Sequence, residues 1–308
     1  MDIVKLCPAV KTPVWGGERI GGWGKKGCRG RIGETWELSF LESAPSVIDG
    51  GPDDGKPLYT VAGKSDWGSS AAAFGNFPVL IKFIDAAAPL YVQVHPGDEY
   101  AASHGLGFGK TEMWYVTDAA ENAGLYMGFN RTVTAEEAAS AAKNGSIEAL
   151  LNFIPVKKGD CFFVEAGTVH AIGAGVTVAE IQQSSDVTFR VYDYGRRGAD
   201  GKPRELHLNS ALEVMTLEKY SPRGNIFSDG LFADRAEKLA ECRYFSVYRA
   251  FGAGSFRAEN SFMAFICVSG SGRINGLPMK KGDAFFAPAG KAVVTEGGAE
   301  FLIAGVNI

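Results

Sequence analysis

The sequence predicts a mainly β protein made of two related β units with a small helical insertion. Three observations carry that expectation. Strand-like runs rich in Val, Ile, Phe and Tyr, several alternating with a period of two, recur along the chain. The 40 glycines mark many tight turns, as a chain of short strands requires. The stretch Pro155-Val-Lys-Lys-Gly-Asp-Cys-Phe-Phe-Val-Glu-Ala-Gly167 returns as Pro278-Met-Lys-Lys-Gly-Asp-Ala-Phe-Phe-Ala-Pro-Ala-Gly290, and self-similarity of that length points to two units of one design. Their expected extents are residues 1–210 and 211–308, with the helical insertion at about 134–152.

At 46% hydrophobic, 308 residues supply enough apolar material for a sizeable core. A net charge of −4 gives no reason to expect nucleic acid or an anionic membrane as partner. No run of about twenty apolar residues exists, and Met1-Asp-Ile-Val-Lys-Leu-Cys-Pro8 lacks the layout of a signal peptide. The five cysteines are scattered and form no C-x-x-C pair, which predicts free thiols in a reducing cytoplasm. The expected assembly is a monomer or small homo-oligomer.

In chain order, a Gly-rich basic loop leads to Ile32-Gly-Glu-Thr-Trp-Glu-Leu-Ser39. Alternation there puts Glu34 and Trp36 on one face and Thr35 and Glu37 on the other, as in a strand with a charged outer edge. Residues 49–75 read as a long surface loop with a short helix. The apolar run Phe77–Asp85 and the run Pro89–His95 follow. In the second, Gln93 and His95 project to one side and Val92 and Val94 to the other, before Pro96-Gly97 stops the strand. Lys110 and Glu112 share a face of the next strand-like run. Thr134-Ala-Glu-Glu137 has capping-box spacing, and an Ala-rich helix follows to Lys143, with a second short helix around Ile147, Leu150 and Leu151. Asp160–His170 reads as a strand entering a tight Gly turn, with His170 just beyond it. In the run from Val176, Glu180 and Gln182 share a face, and after Ser184-Ser185-Asp186 so do Thr188 and Arg190. Gly195–Pro203 is a basic turn-rich loop, and His207 reads as a surface or satisfied histidine.

His is scarce, with only His95, His104, His170 and His207. Gln93, His95, Glu112 and His170 together offer two nitrogens and two oxygens, a set that suits zinc and is compatible with iron, cobalt or manganese. The strand spacing alone also fits a polar lining without metal. Arg190, a cation amid Val, Phe and Tyr, needs an anionic partner: either a structural carboxylate or a substrate anion whose phosphate the guanidinium fork fits. In the internal repeat, His170 falls opposite Val293, and no His follows His207. The second unit is therefore expected to keep the architecture without a metal.

The Lys-Lys-Gly-Asp, Phe-Phe and Ala-Gly pattern resembles the second strand motif of cupins, double-stranded jelly-roll barrels. The series Pro13-Val-Trp-Gly-Gly17, Gly33-Glu-Thr-Trp-Glu37, Val92-Gln-Val-His-Pro96, Lys110-Thr-Glu-Met-Trp114, Ala166-Gly-Thr-Val-His-Ala171 and Ser185-Asp-Val-Thr-Phe-Arg-Val-Tyr-Asp193 resembles the type I mannose-6-phosphate isomerases of the short bacterial kind. The resemblance covers nearly all of the N-terminal two thirds. It implies two cupin-type jelly-roll barrels and one zinc per chain on Gln93, His95, Glu112 and His170. It implies Arg190 as the catalytic-site arginine, with Lys110 and Glu180 nearby. Tyr91 stands where the family often has Ser, and Ile172 where longer eukaryotic members have Tyr.

The implied chemistry is aldose–ketose isomerisation of a phosphosugar, mannose 6-phosphate to fructose 6-phosphate, through an enediol(ate). Glu180 and Lys110 are the expected proton carriers, the lysine with its pKa lowered by zinc and Arg190. Arg190 and Lys110, then Arg196 and Arg197, are the expected cations for the phosphate. Competing readings are a non-catalytic sugar-binding cupin and an iron-dependent cupin oxygenase.

Overall fold

The computed structural model describes residues 1–198, 201–221 and 236–308. Ala199 and Asp200 of the expected basic loop, and residues 222–235 of the expected second unit, lie outside them.

The mainly β expectation holds, and among the described residues four antiparallel sheets account for it. A five-stranded sheet contains Val92–Val94, His170–Ile172 and Phe189–Tyr192. A six-stranded sheet contains Glu34–Leu38, Val79–Ala86, Glu112–Ala119 and Val176–Gln183. Between these two lies a core of Trp15, Trp114, Val178, Leu125, Met127 and Ile172. A seven-stranded sheet, including Met263–Ser269, Ala284–Ala287 and Glu300–Gly305, faces a four-stranded sheet across Phe256, Phe265, Met279, Phe285, Val293 and Phe301.

The two pairs of sheets also pack on each other. One apolar cluster joins Ile81, Phe83 and Ile181 of the six-stranded sheet to Ile266, Phe286 and Leu302 of the seven-stranded one. Both middle sheets are thus covered on both faces. Every residue of Val79–Ala86 and of Val176–Gln183 is buried, which is why these strands read as continuous apolar runs broken by single polar residues. The N-terminal strand Val4–Cys7 pairs with Ala284–Ala287, in register Val4↔Phe286, so the start of the chain is stitched into the C-terminal sheet.

This double coverage corrects the charged outer edge expected at Glu37. Thr35 and Glu37 are fully buried. Glu37 is neutralised by the buried Lys25, whose Nζ lies 5.4 Å from the Phe83 ring centre. Burial pushes the Glu37 carboxyl up from its ordinary value, and Lys25 opposes that push.

Residues 49–75 carry three single-turn helices, Leu58–Val61, Lys64–Trp67 and Ser69–Ala72. The capping-box helix runs Ala135–Asn144. Glu137 N donates to Thr134 Oγ1 at 3.2 Å, Thr134 N donates to Glu137 Oε2 at 2.9 Å, and Gly145 ends the helix at φ 78°. The expected second helix is a 3-10 turn, Ile147–Leu150, and Leu151 already begins the strand Leu151–Pro155. With the helix Leu208–Val214 these elements cover the outer face of the five-stranded sheet, burying Val92, Val94 and Val191. The face that carries Gln93 is thereby left turned toward the barrel interior.

Candidate metal centre

Three strands in two facing sheets bring the centre together. His170 opens His170–Ile172 and is the register partner of Gln93 in Val92–Val94. Glu112 opens Glu112–Ala119 and is the partner of Gln182. His95 lies one residue past its strand. The imidazole and carboxylate ligand atoms of His95, Glu112 and His170 all fall within 4.8 Å of one another, and all three residues are buried. His170 Nε2 is 3.3 Å from Glu112 Oε1, and His95 Nε2 is 3.6 Å from Glu112 Oε2.

The tautomers follow from the far side of each ring. His95 Nδ1 donates to Val187 O at 2.9 Å, and His170 Nδ1 donates to Thr168 O at 2.8 Å. Both Nε2 atoms are therefore turned to the centre, the arrangement seen behind metal-bound imidazoles. Burial first, and the Lys110 charge second, hold the His95 pKa well below its ordinary value, so the ring stays neutral. Neither Glu112 oxygen has a well-formed hydrogen bond. Lys110 Nζ forms an ion pair with Glu112 Oε2 at 2.6 Å. A fully buried carboxylate that already draws the Lys110 ammonium to 2.6 Å, facing two imidazole Nε2 atoms, fits a cation. Gln93 joins through Nε2, 2.9 Å from His170 Nε2; turning the amide over presents Oε1 in the same place.

Lys110 Nζ also lies 3.0 Å from His95 Nε2 and 3.8 Å from Glu180 Oε1. The expected lowering of its pKa is reversed with protein groups alone around it. Burial pulls the ammonium down, but the Glu112 and Glu180 carboxylates outweigh burial and raise it above its ordinary value. Glu180 is buried; its Oε2 accepts Trp114 Nε1 at 2.8 Å, while Oε1 has no hydrogen bond.

Arg190 sits opposite Gln93 across Val92–Val94. Its Nη1 donates to Glu205 O at 2.5 Å, and its Nε is 3.7 Å from Asp193 Oδ2. The guanidinium lies 4.5 Å from the Tyr91 ring centre, and that of Arg204 lies 5.1 Å from the same ring. Asp193 binds Arg204 at 2.9 Å and also Arg196. Arg197 turns away, to Gly201 O. His207 is a satisfied histidine: its Nδ1 accepts the Arg190 backbone N–H at 3.1 Å.

Lys82, Glu34 and Trp36 stand beside Glu180, and Arg204 beside Arg190. Lys82 Nζ is 3.4 Å from Glu180 Oε1 and 3.8 Å from Glu34 Oε2, and lies 4.8 Å from the Trp36 ring centre. Its signal was in the sequence: a lone lysine inside the apolar run Phe77–Asp85, the same kind of anomaly that marks Arg190. Glu34 and Trp36 do share a face, and Trp36 Nε1 donates to Glu34 Oε2 at 2.8 Å. Arg204 carries no such signal, because it comes from a loop.

No protein-family model matches the chain. The mannose-6-phosphate isomerase ManA of Bacillus subtilis (strain 168) is 38% identical over 295 residues, covering 92% of each chain. The crystal structure of the mannose 6-phosphate isomerase from Bacillus subtilis is 32% identical over 99% of each chain, with a TM-score of 0.86. A mannose 6-phosphate isomerase bound with zinc and yttrium shares the fold at 18% identity and TM-score 0.76, over the full length of both chains.

Proposed function

The chain belongs to the mannose-6-phosphate isomerase family, and from that premise we propose that it interconverts mannose 6-phosphate and fructose 6-phosphate with zinc, moving a proton between adjacent carbons through an enediol(ate). The observation that carries the reading is the meeting of the His95 and His170 Nε2 atoms with the Glu112 carboxylate at one buried point. Gln93, His95, Glu112 and His170 are the residues that hold the ion, one per chain. Two nitrogens and two oxygens form a donor set that zinc accepts, and zinc is one of the two metals named for the similarly folded isomerase. When bound, zinc polarises the sugar carbonyl and stabilises negative charge developing on its oxygen.

The chain's own side chains carry the rest. Glu180 is a proton acceptor, with Oε2 fixed by Trp114 and Oε1 accepting no hydrogen bond, between the Lys82 and Lys110 ammoniums. Lys110, held as an ammonium by two carboxylates, is the donor that returns the proton. Arg190 binds the 6-phosphate through its guanidinium fork. Arg204, on the same Tyr91 ring, adds a second cation. Most of residues 1–210, with the helix Leu208–Val214, form the catalytic unit, and the rest of 211–308, joined by the strand Val4–Cys7, the unit without metal. Five unpaired thiols suit a cytoplasmic enzyme acting on a free phosphosugar, with neither nucleic acid nor membrane as partner. No helix among the described residues is long and apolar enough to cross a membrane.

The deciding experiment is a coupled assay of mannose 6-phosphate conversion, run before chelation, after it, and after zinc is returned. Turnover that disappears and comes back supports the reading. Fresh protein with no bound metal and no turnover sinks it in favour of a binding role, and iron in place of zinc favours an oxygenase.

A further inference from the structure

Three consecutive backbone donors lead into the candidate centre, and each is taken by a different partner. Gly109 N donates to Asp98 Oδ1 at 2.9 Å, Lys110 N to Pro96 O at 2.9 Å, and Thr111 N to Gln183 Oε1 at 2.8 Å. Gln183 N also donates to Thr111 O at 3.1 Å, so Gln183 grips Thr111 through both its backbone N–H and its C=O. Gln183 Nε2 donates to Asp98 Oδ1 at 2.8 Å. The other oxygen, Asp98 Oδ2, accepts the Tyr244 hydroxyl at 2.7 Å. Tyr244 lies in the turn between Ala236–Glu241 and Ser246–Phe251, two strands of the seven-stranded sheet. The packing is close. A Cβ on Gly109 would stand 2.5 Å from Asp98 N and from Gly97 C, so the Gly109 backbone lies directly against the start of the helix Asp98–Ser103.

Asp98 therefore ties together the peptide before Lys110, the side chain that grips Thr111, and a hydroxyl from the C-terminal sheet. Hydrogen bonds to a carboxylate are shorter and about twice as strong as neutral ones, so the tie resists displacement. We propose that Asp98, anchored by Tyr244 and Gln183, is a positioning residue that sets where the Lys110 ammonium and the Glu112 carboxylate stand. The inference rests on the isomerase reading above. It gives the C-terminal unit a part in catalysis without chemistry of its own, because its Tyr244 hydroxyl anchors the carboxylate that holds the Lys110 segment.

The test compares Asp98→Ala, Asp98→Asn and Tyr244→Phe with the wild type. It measures kcat and KM for mannose 6-phosphate, and separately zinc retention against a chelator. Asp98→Ala is expected to lower kcat about ten-fold or more with KM within about two-fold, and to weaken zinc retention about ten-fold. Asp98→Asn keeps an Oδ1 for Gly109 and Gln183 and offers Nδ2 to the Tyr244 oxygen, so it should stay within about three-fold of wild type. Tyr244→Phe removes one oxygen and little packing, and should cost about three- to ten-fold in kcat. Wild-type kcat and zinc retention in Asp98→Ala or Tyr244→Phe overturns the inference, as does equal loss in Asp98→Ala and Asp98→Asn. If Asp98→Ala does not fold, the other two variants decide. A wild type that fails to convert mannose 6-phosphate defeats the isomerase reading instead, and zinc retention in the variants still decides the positioning.

Discussion

His170 and Gln93 face each other across an antiparallel strand pair, and their side-chain Nε2 atoms meet at 2.9 Å. Two candidate donors are thus set by the register of a sheet, whose ladder bonds fix their spacing. A slip of one residue in either strand would turn its donor to the opposite face. Glu112 comes from the sheet across the barrel, so the centre also depends on how the two sheets face each other.

His170→Ala removes a donor and leaves Glu112 buried with one imidazole fewer. Zinc and turnover should be lost together, with zinc affinity falling by at least about a hundred-fold, above the range for partners one shell further out. Metal analysis beside the coupled assay checks this. A variant that keeps both at wild-type levels would remove His170 from the site.

Arg190→Lys keeps the charge and loses the fork. Hydrogen bonds to charged groups are worth about 1.5–3 kcal/mol, so turnover of the phosphorylated sugar should fall about ten- to a hundred-fold at unchanged zinc content. Arg190 also touches Asp193 and Glu205 O. A variant that unfolds would therefore assign it to the structural ion pair.

Lys25 and Glu37 form a buried pair between the two middle sheets. Lys25→Met strands the carboxylate and should destabilise by about 3–5 kcal/mol, whereas Lys25→Met with Glu37→Leu should recover most of that loss. Denaturant unfolding of the single and double variants measures it. A single variant as stable as wild type would mean that Glu37 finds another partner or takes up a proton at no cost.

What the sequence made legible follows one physical distinction. Period-two alternation is local, so it put Gln93 with His95, Lys110 with Glu112 and Glu34 with Trp36 before any fold was known. Coverage by a second layer is not local. Glu37 reads as an outer edge until the seven-stranded sheet is laid against it, and Val4 gives no sign of its pairing with Phe286, some 280 residues away. Lys82 was visible as an anomaly in an apolar run, but only the fold shows Glu180 and Glu34 beside it. The Asp193 cluster joins Arg190 of the strand Phe189–Tyr192 to Arg196 and Arg204, which come from the turn and loop beyond it, where no periodicity links the partners.

The intact protein should bind one metal ion per chain. Val293, opposite His170 in the internal repeat, is fully buried among Phe256, Phe265, Phe285 and Phe301. The interior of the second barrel at that point is apolar, and a cation there would find no lone pairs to replace its water. Cys267 is buried in the same core, and burial pushes its thiol up to about 12, far from the thiolate a metal needs. Cys242 belongs to a different cluster, beside Phe245. Among the described residues, His95, Glu112 and His170 form the one acidic or histidine cluster tight enough to hold an ion. Metal counting on the purified protein should give one zinc per chain, falling to none in His170→Ala. Two tightly bound ions, with one surviving that substitution, would place a second site in the C-terminal unit.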